Sequence, residues 1–142
     1  MSIQENKEMV RRYLDAFNDF DRDALSAVLA DDVVEHGATR EVEGFDEFVE
    51  FVDRNQDTFS GYTGSTEAIC AEDDLVTVRY TVSGTHDGEY LGIDPTGKDV
   101  TWSGIAMYRI ENGEIAEIWI EEDRLELLQQ LEAYDPPAHL RI

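Results

Sequence analysis

At residue 62 the apolar pattern of this chain changes period, and that change limits what the chain can fold into. Before it, apolar side chains recur at helical spacing. Met9, Val10, Tyr13, Leu14 and Phe17 follow Ser2 and Glu5, which stand at capping-box separation. "DRDALSAVLA" predicts a second short helix, capped by Asp21 or Asp23, with Leu25, Val28 and Leu29 inward. "DDVVEHG" predicts a brief extended segment carrying His36. A third helix fits residues 45–55, with Phe45, Phe48, Val49 and Val52 on one side.

After residue 62 the pattern is that of strands. "YTGSTEAICAE" and "LVTVRYTVSGTH" are joined at Asp73 and Asp74. "KDVTWSGIAMYRI" and "EIAEIWI" are joined by Asn112-Gly113, the strongest short hairpin signal a sequence offers. The Gly-rich stretch "DGEYLGIDPTG" lies between the two hairpins. "DRLELLQQLEAY" predicts a closing helix over 123–134, which stops before Pro136 and Pro137 and leaves a short tail at 134–142. Helices, then a strand meander, then a helix predict an α+β fold in a single domain over 1–142. A cone-shaped, curved antiparallel sheet packed on helices would enclose a pocket, the kind of cavity that takes small apolar ligands.

Composition narrows the function classes. A net charge of −22 repels phosphate backbones and argues against nucleic acid as a partner. The acids are dispersed, and Lys7 and Lys98 are the only lysines, which fits a protein of a high-salt cytoplasm where self-repulsion is screened. No apolar run approaches the roughly 20 residues that cross a membrane, and the N-terminus has no apolar signal core, so no membrane association and a cytoplasmic location are expected. Cys70 has no cysteine partner and is predicted to be a buried, inert thiol. No His–carboxylate spacing supports a metal. The glycines of "IDPTG" match a turn rather than a phosphate cradle.

Two stretches carry a resemblance. "GTHDGEYLGIDPTGKDV" at 84–100 and "GIAMYRIENGEIAEIWIEEDRLELLQQL" at 104–131 resemble the SnoaL-like polyketide cyclase family, part of the nuclear-transport-factor-two-like superfamily of cone-shaped α+β domains. The resemblance implies an intramolecular aldol condensation without a cofactor. In that reaction a C–H beside carbonyl groups is deprotonated and the carbanion closes a ring. It also implies that the aspartate of the W-x-x-x-D motif, here Asp123, is the general acid/base.

The residues themselves leave alternatives open. Glu117, Trp119 and Glu121 share one strand face, and Asp123 continues that parity, beside an indole whose apolar surface would raise its pKa. Asp123 also stands where an N-cap for the closing helix belongs. An enolate would need a donor, for which His86, His36, Arg79, Arg109 and Tyr80 are candidates. Trp119, Tyr80, Tyr13, Phe17, Trp102 and Arg79 are the expected substrate-binding set, for a small hydrophobic ligand with a carbonyl group. Isomerisation, hydrolysis or dehydration in the same pocket, or ligand binding without catalysis, are the competing readings. The strand at 100–110 is apolar on both parities, with Ile105 and Met107 opposite Trp102, Ala106, Tyr108 and Ile110, which predicts a homodimer through the exposed sheet face.

Overall fold

The computed structural model describes residues 1–37, 39–135 and 137–140. Helix α1 spans Ile3–Asp19, α2 Arg22–Val28 and α3 Phe45–Thr58. Strands β1 (Leu29–His36) and β2 (Glu41–Glu43) lie between α2 and α3. Then come β3 (Phe59–Glu72), β4 (Leu75–His86), β5 (Asp99–Glu111) and β6 (Glu114–Glu122), followed by α4 (Arg124–Gln130) and a 3-10 turn at Ala138–Leu140.

Local chemistry sets these boundaries. The Ser2 hydroxyl accepts from the Glu5 amide and the Glu5 carboxylate accepts from the Ser2 amide, each at 3.1 Å, so the capping box is complete. Asp21 rather than Asp23 caps α2, accepting from the Ala24 amide. That helix ends two residues sooner than predicted, because Leu29 and Ala30 belong to β1. Asn112 and Gly113 both have positive φ, 52° and 76°, as a type I′ hairpin turn requires. Helix α4 is shorter than predicted. It stops at Gln130, and Glu132 just beyond turns left-handed at φ 57°. Of the expected tail, Pro136, Arg141 and Ile142 lie outside the described residues.

The six strands form one curved, open sheet in the order β2-β1-β6-β5-β4-β3. The fold is α+β, as the change of period predicts. The expectation of a purely antiparallel sheet needs one correction: β1 lies parallel to β6. Local alternation carries no information about that long-range pairing. Register shifts between Ser60 and Thr63, Thr66 and Ala68, and Arg109 and Ile110 add twist and bend the sheet around the helices.

The concave face holds the core. Val76, Val78 and Val82 of β4, Ala106 and Tyr108 of β5, and Ile118 of β6 are all buried there. Tyr13 of α1 meets Tyr108 edge-on at 5.3 Å, and Phe48 of α3 is fully buried. Each such large side chain contributes about 1.5–3 kcal/mol through burial. The convex face is a different surface. Ile105 and Met107 stand 49% and 37% exposed on it. Cys70 is also exposed, against the prediction of burial, because its strand β3 is the sheet's outer edge. Among the described residues no helix is long and apolar enough to cross a membrane.

Candidate active site

Strand register decides which acids enter the concave face. Across β5 and β6, Tyr108 pairs with Ile118, Ala106 with Ile120 and Gly104 with Glu122, and this row points inward. The opposite row pairs Met107 with Trp119 and Ile105 with Glu121, and it points outward. On β1 the same parallel register sets Glu35 beside Ile118 and His36 beside Trp119. Glu35 and Glu122 are therefore the carboxylates of the interior.

Both line a cavity of about 120 Å³ between the helices and the sheet. Its walls are aromatic. Helix α1 supplies Tyr13 and Phe17, β3 supplies Phe59 and Tyr62, and β4 and β5 supply Tyr80, Trp102 and Tyr108. Asn18 and Gly64 tie α1 to β3 through two amide hydrogen bonds of 2.9 Å, fixing one side of the wall. Arg124, at the start of α4, and Tyr90, in the segment between β4 and β5, complete the lining at the other side.

Glu35 is 6% exposed. Among the described residues no group donates a hydrogen bond to its carboxyl. Burial, and next the charge of Glu122, push its pKa up to about 7, while the charges of Arg40 and His36 act to lower it by less. Glu122 is held differently. The Tyr80 hydroxyl donates to its Oε2 at 2.6 Å, and an Arg124 Nη2 lies 3.7 Å from its Oε1. Gly104 makes that meeting possible. A Cβ there would stand 2.6 Å from the Tyr80 hydroxyl and 2.8 Å from Glu122 Cγ. Tyr13, Tyr62, Tyr80 and Tyr108 all have raised pKa values, chiefly from burial, so their phenols keep their protons and are donors. One acid with its pKa raised to about 7, in an apolar cavity that phenols also line, can exchange a proton with a carbon acid.

The predicted site residues divide. Tyr13, Phe17, Tyr80 and Trp102 line the cavity. Asp123 does not. It caps α4, with Oδ1 accepting from the Glu126 amide at 2.9 Å, and it borders a shallow groove on the convex face with Arg79 and Glu121. Trp119 and His36 stack on each other on that convex face, 5.7 Å apart. His36 lies between Glu41 at 2.8 Å and Glu117 at 2.6 Å, and Arg109 reaches the same Glu117. This is an ion network on the convex face, and its two acids raise the His36 pKa. Arg79 is exposed in its strand. His86 is fully buried but sits behind Phe59, where its Nδ1 accepts from the Thr96 amide at 3.2 Å and fastens the "IDPTG" loop. Sequence reasoning missed Glu35, Glu122, Gly104 and Arg124. A parity signal for Glu122 was present: Ile118 and Ile120 mark the apolar face, and Glu122 continues it.

A cone of helices and curved sheet around an acid-bearing aromatic cavity is the architecture of the superfamily that the motifs suggest. Residues 7–131 match the model of the SnoaL-like polyketide cyclases, and the chain belongs to that family. Solved structures agree. AclR from Streptomyces galilaeus, a candidate hydroxylase, is 28% identical with a TM-score of 0.82, covering 94% of this chain and 100% of AclR. IdmH from Streptomyces antibioticus, a candidate polyketide cyclase, is 26% identical with a TM-score of 0.77, covering 89% and 98%. A candidate polyketide cyclase from Xanthomonas campestris is 27% identical with a TM-score of 0.80, covering 91% and 98%. No curated protein matches.

Proposed function

We propose that the cavity performs carbon-acid chemistry on a small hydrophobic carbonyl compound, with Glu35 as general base and intramolecular aldol ring closure as the reaction it fits best. The observation that carries this reading is the Glu35 carboxyl, buried among aromatic rings without a donor and with its pKa raised to about 7. A base is most effective when its pKa lies near the working pH. Even with its pKa raised to about 7, a carboxylate is a weak base for a C–H beside a single ketone, so a C–H between two carbonyls is the favoured substrate group. Glu35 takes the proton and the C–H electron pair moves onto the carbonyl oxygen as an enolate. The enolate carbon then attacks a second carbonyl of the same molecule, and the new alkoxide recovers the proton. The phenols of Tyr13, Tyr62 and Tyr108 supply neutral donors along the way. The family, and the cyclase names among its similar structures, support the reaction class. AclR, a candidate hydroxylase, shares the architecture, and one fold can host more than one chemistry.

The same reading includes a homodimer across the convex face, where Ile105 and Met107 are exposed beside Trp119.

The test uses 5-nitrobenzisoxazole, whose ring opens to a coloured phenolate when a base removes its C–H proton. The protein should accelerate this opening, with a rate that rises through an apparent pKa near 7. Glu35→Gln should lower it by about 100-fold or more, the usual scale of a lost general base. Asp123→Asn should keep most of it. A rate unaffected by Glu35→Gln, or abolished by Asp123→Asn alone, would return the assignment to the capping aspartate.

A further inference from the structure

We propose that Arg124 contacts the substrate directly, binding the oxygen onto which the negative charge moves when Glu35 takes the proton. The inference rests on Glu35 as the base and adds the residue that receives the charge. Arg124 is the one cation among the described residues that line the cavity. It is rigidly placed at the first position of α4, after the Asp123 cap and one turn before the buried Leu127. Its guanidinium has five N–H donors. One hydrogen bond is made, from Nη1 to the Tyr90 hydroxyl, and Tyr90 also offers its ring face at 5.8 Å. The Glu122 carboxylate at 3.7 Å is an ion pair without a hydrogen bond. Nε is buried, and no described group accepts its proton.

A buried donor without an acceptor is costly, and an arginine beside a binding cavity meets that cost best with a ligand oxygen. The charge balance agrees. Glu122 is matched by Arg124 before the reaction, and Glu35 carries the second negative charge. Proton transfer makes Glu35 neutral and creates an enolate, so the cavity's total charge is unchanged while the negative centre moves to the ligand. A guanidinium that pairs loosely with Glu122 can turn donors to that oxygen without leaving the carboxylate. The ligand class that follows is a carbon acid whose enolate oxygen is anionic and whose buried part is about one ring in size, given a cavity of about 120 Å³.

The test is binding of 2,4-dinitrophenolate, a one-ring anion standing for the enolate, against uncharged 1,3-dinitrobenzene, measured by calorimetry. Neither probe has a proton for Glu35 to remove, so turnover is not involved. The groups facing Glu35 are Glu122 from β6, Arg40 and His36 from β1 and the turn after it, and the phenols of Tyr13, Tyr62 and Tyr108 from α1, β3 and β5. Glu35, with its pKa pushed up to about 7, changes charge in the cavity between pH 5.5 and 8.5, and His36, on the convex face, is common to the parent and every variant compared. The anion should bind up to about 30-fold more tightly at pH 5.5 than at 8.5, because a group of pKa about 7 passes from protonated to ionised over that range. Glu35→Gln should bind it tightly at both. Arg124→Gln should weaken the anion about 10-fold or more and leave dinitrobenzene unchanged, and Arg124→Lys should recover part of the preference for the anion.

If Arg124→Gln binds the anion as well as the parent does, or loses both probes equally, the role of Arg124 is wrong even if the pH dependence stands. If the pH dependence is absent while Arg124→Gln stays selective, the Glu35 reading falls and the Arg124 contact survives. No binding of either probe by the parent protein would overturn both.

Discussion

Replacing Glu35 with glutamine should make the protein more stable, and by an amount that depends on pH. In the folded chain this carboxyl has a pKa of about 7, against 4.5 for the same group free in solution. The folded state therefore holds a proton that the unfolded state releases earlier. Below pH 4.5 both states are protonated and the group has no effect on stability. Between 4.5 and 7 the unfolded chain ionises first, and stability declines. Above 7 the whole difference is felt. At 1.36 kcal/mol per unit it amounts to about 3 kcal/mol, a large fraction of the 5–15 kcal/mol typical of a domain. Glutamine keeps the shape and has no charge to bury. Urea unfolding of the parent and Glu35→Gln at pH 4 and pH 8.5, in the same high salt, isolates the term, because the other 32 acids are common to both chains. The two should be nearly equal at pH 4, with the variant ahead by about 3 kcal/mol at pH 8.5. A difference that stays flat with pH, or a variant less stable at pH 8.5, would refute the claim that Glu35 is held against its own ionisation. Such a cost is what an acid kept for chemistry, rather than for folding, imposes.

Gly104→Ala should destabilise the fold by about 1–3 kcal/mol and lower the ring-opening rate, because the added methyl lands within 2.6 Å of the Tyr80 hydroxyl and separates it from Glu122; wild-type melting and rate would contradict this. His36 should titrate above its ordinary 6.5, because Glu117 and then Glu41 accept from its ring. Its contribution is complete below that value and is lost as pH rises through the raised one, so the melting temperature of the parent should fall relative to His36→Gln on going from pH 6 to pH 9; no such pH dependence would show that the pair is not coupled. Ile105→Glu should convert a dimer to a monomer by light scattering in high salt, since it places a charge at the centre of the exposed apolar face, and a parent protein that is already monomeric would remove the dimer from the account.

Much of the fold was legible because local signals and long-range packing agree. The Ser2–Glu5 capping box, the Asn112-Gly113 turn and the alternation of β4 and β5 each specify their element through neighbours a few residues apart. The pairing of β1 with β6 was not legible, because it joins residues more than eighty positions apart and leaves no local mark. The expected acids and those that line the cavity differ by a single step of register. His36 and Asp123 are each one residue from the acids that enter the cavity, Glu35 and Glu122. Side chains alternate along a strand, so one step exchanges interior for exterior. Taking Trp119 as the pocket wall put the reading on the convex face. The smaller Ile118 and Ile120 mark the true interior, and an indole stacked on a histidine is content outside. Tyr80, Trp102, Tyr13 and Phe17 line the cavity, and each shares its parity or helical face with several aliphatic neighbours.

The proposed chemistry turns on one proton. Carbon-13 NMR of the protein labelled at glutamate side-chain carboxyls, with Glu35 assigned by its loss in Glu35→Gln, follows that proton directly. A midpoint near pH 7 for the Glu35 resonance is the predicted result. A midpoint in the ordinary carboxylate range near 4.5 would contradict it and leave the cavity without its base.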